Sequence, residues 1–134
     1  MDTQEFPSIF RMAEEASKYS SHRQHRIGTV IMIKNRPVAI GFNHAKTHPS
    51  MGYLKKTHAE LSAILSIKNK NRLKGATMVV FRRRKDGSLG NARPCEHCQK
   101  LLDQYGFSKF IYTTDGGWCE ESRSKNKFNY NRIN

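Results

Sequence analysis

Residues 76–114 read ATMVVFRRRKDGSLGNARPCEHCQKLLDQYGFSKFIYTT, and this stretch decides the fold. Ala76 to Phe81 is an apolar, partly β-branched run of strand length. A basic, glycine-containing loop follows from Arg82 to Arg93. Pro94 then opens a helix running to Tyr105: proline is suited to the first helical position, and Gly106 supplies the stop. Phe107 to Thr114 is a second apolar strand. A helix between two buried strands requires a crossover connection, which places the strands in one sheet under helical cover.

Upstream, the pattern extends the same architecture. Phe6, Ile9, Phe10, Ala13 and Ala16 recur at helical spacing, so a first helix spans Phe6 to roughly Tyr19. Gly28 to Ile33 and Val38 to Phe42 read as two strands joined by the turn-like Lys34-Asn35-Arg36-Pro37. Residues 43–56 carry Asn, His, Lys, Pro, Ser and Gly without periodicity and form a long loop. Thr57 to about Asn69 is a second helix with a broad apolar face. The order α-β-β-α-β-α-β predicts an α/β fold, a three-layer α-β-α sandwich whose mixed central sheet has four to five strands. The expected organisation is one domain over 1–134. From Asp115 the chain turns polar, Trp118, Phe128 and Tyr130 are candidates to anchor a last short element, and 120–134 is expected to be a mobile or short helical tail.

The 134 residues carry 24 Lys+Arg against 11 Asp+Glu, a net charge of +13. Such a surface attracts phosphate. Residues 18–59 hold no acidic residue at all. No apolar run approaches the roughly 18 residues of a membrane span, and the polar start is unlike a signal peptide, so a soluble, cytoplasmic protein without a membrane partner is expected. Three cysteines, two of them only three apart, argue against a disulfide framework and toward metal or redox chemistry.

The chemistry concentrates in two short motifs, each at the start of a helix: Thr57-His58-Ala59-Glu60 and Pro94-Cys95-Glu96-His97-Cys98. Three apart on one helix, Cys95 and Cys98 face the same side, and the positive end of a helix favours thiolate. With His58 they make three ligands for Zn2+, leaving a fourth tetrahedral position for water, whose pKa falls from about 15.7 toward roughly 7 on the metal. Glu60, two residues beyond His58, is placed to take the water's proton and return it to a leaving amine. Each motif alone has other readings. A C-x-x-C also serves redox and structural-zinc proteins, and Thr57-x-x-Glu60 spells a capping box. Their conjunction points to a catalytic metal. His97 points away from both cysteines, and Cys119 reads as a plain thiol, although it, His44 and His48 stay open as a fourth ligand.

With these motifs the chain resembles the cytidine deaminase superfamily, in its cytidylate/deoxycytidylate and tRNA-adenosine deaminase branch, over roughly Phe6 to Thr114. The resemblance implies a five-stranded mixed sheet, zinc on His58, Cys95 and Cys98, and Glu60 as proton shuttle. It further implies substrate contacts from Asn43, in Gly41-Phe42-Asn43, and from the backbone N–H of Ala59, and it implies a homo-oligomer. The expected reaction converts the cytosine of a nucleotide such as dCMP or CMP to uracil with release of ammonia. The alternative is a nucleic-acid deaminase acting on cytosine or adenine in a single strand or tRNA loop, which the charge favours. A non-catalytic zinc module is disfavoured by the presence of Glu60. Two acid-poor stretches, one ending at Lys56 and the other the arginine loop before Pro94, run into the two motifs, which predicts positive charge at the mouth of the site.

Overall fold

The computed structural model describes residues 7–20, 25–43 and 58–123. Phe6, the histidines and Tyr53 of the 44–57 segment, and the tail beyond Arg123 lie outside the described residues. The elements are α1 (Phe10–Ser17), β1 (His25–Ile33), β2 (Arg36–Phe42), α2 (Ala59–Leu65), a 3-10 turn (Lys70–Leu73), β3 (Thr77–Arg84), α3 (Glu96–Gln104), β4 (Lys109–Thr114) and β5 (Gly117–Ser122). One five-stranded sheet runs in the order β2-β1-β3-β4-β5. The β3–β4 pair is parallel and every other neighbouring pair is antiparallel. This is the expected mixed sheet.

Alternation along the strands builds two cores. Val30, Val79, Phe81 and Ile111 pack with Phe10 and Ala13 of α1. Their neighbours Ile31, Met78, Val80, Phe110 and Tyr112 pack with Ala63 and Ile64 of α2 and Leu102 of α3 on the other face. The helices thus cover both faces of the sheet, the expected three layers. The β1–β2 hairpin turns on two residues, Lys34 and Asn35, with φ of 51° and 66°, as a right-twisted hairpin prefers. Pro37 is tolerated because β2 is an edge strand.

Two glycines set how close the helices approach. A Cβ on Gly28 would lie 1.9 Å from the Ala13 carbonyl oxygen, and one on Gly41 would lie 2.4 Å from the Ala63 nitrogen and 2.5 Å from the Ala59 oxygen. Both obstacles are helix backbone, which cannot step aside without moving the helix. Gly28→Ala is therefore expected to cost about 3 kcal/mol through overpacking, read as a fall in the urea midpoint. Gly41→Ala is expected to cost a similar amount and also to weaken zinc binding, because it displaces the helix that follows His58. Equal zinc affinities in the two variants would contradict this division.

Several boundaries differ from the sequence reading. β1 begins at His25 and β3 continues to Arg84, since Arg26, Arg83 and Arg84 find strand partners across the ladder. α2 ends at Leu65, where the Ser66 hydroxyl donates to the Ala63 carbonyl at 2.7 Å, and the chain tightens into 3-10 geometry. Residues 117–122 form a full edge strand, β5, paired with β4, so 120–122, expected in the tail, belong to the sheet.

Candidate active site

Both motifs lie at the carboxyl ends of strands, β2 before α2 and β3 before α3, the usual place for a site in such sheets. The helices start later than expected. His58 and Cys95 are not in helices but are their N-cap residues, extended at φ −75°, ψ 151° and φ −70°, ψ 168°. Their carbonyls accept the first helical bonds, from the N–H of Ser62 and of Gln99. Glu60 is therefore the second helical residue, whereas the capping-box reading needed it third. Neither His58 nor Cys95 caps its helix with its side chain. Both side chains turn toward each other.

The loop that carries Cys95 is strapped to the sheet. The buried Thr113 hydroxyl accepts the Arg82 N–H at 3.1 Å and donates to the Gly90 carbonyl at 2.8 Å. The Ala92 N–H donates to the Thr113 carbonyl, and the Gln99 amide donates to the Pro94 carbonyl. Nothing in the run Phe-Ile-Tyr-Thr-Thr distinguishes Thr113 from its neighbour, so this residue was missed in the sequence.

The ligand-type atoms converge. His58 Nδ1 is 3.3 Å from the Cys98 sulfur and 3.6 Å from the Cys95 sulfur, and all three atoms lie within 4.8 Å of one another. No other residue joins this group among the described residues, so His97 and Cys119 stand apart from it. Cys119 lies on β5 and packs against the core. The protonation pattern follows from the contacts. The Cys98 thiol and the His58 ring hold Cys95 as thiolate, bringing it from 9.0 down to about 3. Cys98 is pushed the opposite way, because the Cys95 sulfur holds its proton and its surroundings are buried. Two sulfurs and one imidazole in a tight group fit a zinc site, and no fourth protein ligand joins them among the described residues.

Glu60 is 6% exposed. Burial pushes its carboxyl up from 4.5 to about 7, against the pull of its own backbone N–H and of His58, and the Cys95 sulfur adds to the push. Asn43 is buried at the end of β2. Its Oδ1 accepts from the Ile27 N–H at 3.0 Å and the Ser20 hydroxyl at 2.5 Å, while its amide donates to the His25 carbonyl at 2.8 Å. Its amide orientation is thereby fixed by a backbone donor, and one of its two amide protons has an assigned acceptor. Ala59 is fully buried at the first position of α2.

The arginines expected at the mouth are used within the chain. Arg83 pairs with Glu14, Arg84 with Asp115 and Arg93 with Glu121, while Arg82 bonds the Asn91 carbonyl and the His25 ring. Residues 84–88 close a tight hairpin through the Arg84 N–H on the Ser88 carbonyl. Those arginines build the loop that presents Cys95. The stretch ending at Lys56 lies outside the described residues.

Residues 4–114 match the family described as the cytidine and deoxycytidylate deaminase zinc-binding region. The chain belongs to this family. The enzyme is a deaminase, and the histidine and two cysteines that fit zinc fall inside the matched span. It is 32% identical over 110 residues to an "uncharacterized deaminase in luxG 3′ region" of Aliivibrio fischeri, covering 75% of this chain and 67% of that one. In fold it is similar to a cytidine deaminase from Burkholderia pseudomallei, with a TM-score of 0.63 at 17% identity over 86% of this chain and 90% of that one. It is similar also to a dCMP deaminase from the cyanophage S-TIM5, with a TM-score of 0.58 at 19% identity over 78% and 79%. The chain spans about a quarter, 26%, of the Acinetobacter baumannii RibD whose fold it shares. No helix among the described residues is long and apolar enough to cross a membrane.

Proposed function

We propose that this deaminase, as one domain, converts the cytosine base of a nucleotide of the dCMP or CMP type to uracil, releasing ammonia. The observation that carries the reading is the buried Glu60 carboxyl two residues from a histidine that faces two cysteine sulfurs. His58, Cys95 and Cys98 would hold the zinc. Zinc, when bound, acidifies a water molecule so that hydroxide is available near neutral pH. Glu60 accepts the first proton given up by the attacking water and delivers it to the ring nitrogen beside the reacting carbon, then takes the second proton from the hydroxyl left on that carbon and passes it to the departing amine, which leaves as ammonia. A carboxyl pushed to about 7 is suited to both taking and giving a proton at neutral pH. Ala59, whose N–H lies in the first helical turn and has no intrahelical acceptor, is proposed to contact the base. Asn43, tied to both strand ends, is proposed to present its second amide proton to the substrate.

Support for a free nucleotide over a strand comes from Arg82, Arg83, Arg84 and Arg93, which are engaged within the chain and do not form a phosphate track. The test is a substrate panel with zinc-loaded protein. Ammonia release from dCMP or CMP, with little from an oligonucleotide or tRNA, is the expected result. Conversion of the single strand or tRNA alone would replace this reading with a nucleic-acid deaminase.

A further inference from the structure

Part of the positive charge has a place in the fold away from the zinc site, although Arg26 and Lys85, at the carboxyl end of β3, also make no ion pair among the described residues. Six ion pairs among the described residues use Lys18, Arg83, Arg84, Arg93, Lys109 and Arg123. Lys34, Arg36, Lys68, Lys70, Arg72 and Lys74 make no ion pair among the described residues. Topology brings these six to one end. Met32, just before the β1–β2 turn, is opposite Pro37 on one side and Thr77 on the other. The segment 68–74 runs through Gly75 and Ala76 into Thr77, and Lys74 lies against Gly106 of the α3–β4 turn. This end holds the amino ends of β3 and β4. The zinc motifs follow the carboxyl ends of β2 and β3, at the opposite pole.

The surface is fixed. Leu73 is fully buried, Ile67 is nearly so, and both belong to the core cluster against which Ile33 and Val38 pack. The Asn69 side chain accepts the Asn71 N–H, and Lys70 Nζ donates to the Ile67 carbonyl. That anchoring leaves Lys34, Arg36, Lys68, Arg72 and Lys74 exposed, with Asn35, Asn69 and Asn71 exposed between them. Residues 61–85 contain no acidic side chain, and neither do residues 16–59. Among the described residues the acids at this end, Asp103, Glu120 and Glu121, are paired with Arg123, Lys109 and Arg93.

We propose that this basic end is a docking surface for the phosphate backbone of nucleic acid, separate from the zinc site and independent of which base is deaminated. A strand offers one phosphate per nucleotide to a row of cations, and exposed asparagine amides suit phosphate and sugar oxygens. Neither segment carries an aromatic side chain that bases would stack on or that would seat in a lipid surface. Recognition is therefore of the backbone and without sequence preference. The net charge of +13 accordingly does not identify the substrate.

The experiment titrates full-length, zinc-loaded protein into a labelled single strand and a labelled duplex by fluorescence anisotropy, between about 50 and about 200 mM salt. Two variants are compared with wild type, Lys68→Gln/Arg72→Gln/Lys74→Gln and Lys34→Gln/Arg36→Gln. Each is expected to keep its zinc and its thermal midpoint, to bind at least about tenfold more weakly, and to lose about one from the log–log salt slope per cation removed. Saturating dCMP is expected to leave binding unchanged. Wild-type affinity and slope in both variants would overturn the proposal, as would competition by dCMP. Variant-sensitive binding to phosphatidylserine vesicles or polyglutamate, without binding to nucleic acid, would overturn it in favour of a lipid or acidic-protein partner.

Discussion

Glu60→Gln is expected to bind zinc as wild type does and to lose turnover by about a thousandfold, within the range contributed by a positioned acid–base group. The amide fills the same buried volume and leaves His58, Cys95 and Cys98 in place, but it neither accepts the water's proton nor returns one. A second readout separates this role from a structural one. In the zinc-free protein the folded state holds the Glu60 carboxyl near 7, above its ordinary 4.5, so the folded chain binds the proton more tightly than the unfolded chain. The stabilisation from the neutral carboxyl is complete below about 4.5 and is lost as pH rises through about 7. The loss is on the order of 3 kcal/mol. Zinc-free Glu60→Gln should consequently be more stable than zinc-free wild type at pH 8 and lose that advantage toward pH 5, measured as urea midpoints. Retained turnover in the variant would remove Glu60 from the mechanism. A wild-type stability curve flat over this range would remove burial as the cause of its shift.

What could be read in advance follows a physical division. The β3-α3-β4 unit was legible because Met78, Val79, Val80 and Phe81, and then Phe110, Ile111 and Tyr112, are apolar runs buried on both faces. Gly106 ends α3 with φ 78°, as its position suggested. The strand status of Arg83 and Arg84 was not legible, because it depends on Glu14 from α1 and Asp115 from the β4–β5 turn. The place of β5 was not legible for a similar reason. Gly-Trp-Cys-Glu-Glu-Ser reads as polar, and its two glutamates become strand residues only beside Lys109 and Arg93. Local propensity does not record partners supplied from far along the chain.

The site shows the same division more finely. The residue types and their order pointed to His58, Cys95 and Cys98, whose ligand-type atoms converge, and to the buried Glu60, but their backbone placement was not legible. Pro94 suggested a helix already containing Cys95. The helix instead begins at Glu96, with Cys95 extended ahead of it. An N-cap whose side chain serves another purpose carries no capping signal in sequence. The close approach at Gly41 likewise depends on where Ala59 and Ala63 arrive, although the glycine itself stood in a quoted motif. For the arginine loop the pairing was not legible, since counting cations along the chain does not show which of them fold against carboxylates.

Cys98→Ala is expected to abolish tight zinc binding and, with it, deamination. Its effect on proton release is the more specific test. In the metal-free site Cys95 already carries the negative charge and Cys98 keeps its proton. Zinc takes both sulfurs as thiolates, so loading must expel the Cys98 proton. In wild type the logarithm of zinc affinity should therefore rise by about one per pH unit between about pH 7 and 9, with about one proton released per zinc in weakly buffered solution. Cys98→Ala removes the thiol that most lowers Cys95, but His58 still favours the Cys95 thiolate, so this variant should bind zinc far more weakly and with a shallower pH dependence than wild type over the same range. Cys95→Ala should also lose zinc, but for a different reason. It removes the thiolate that keeps the neighbouring proton in place, and Cys98 then still has to ionise, so its residual affinity should retain the pH dependence. The two cysteines are thus distinguishable by slope even where both variants are inactive. A competition titration against a chromophoric chelator at several pH values reads both slopes. Equal slopes in the two variants would mean that the charge is shared between the sulfurs and does not reside on Cys95.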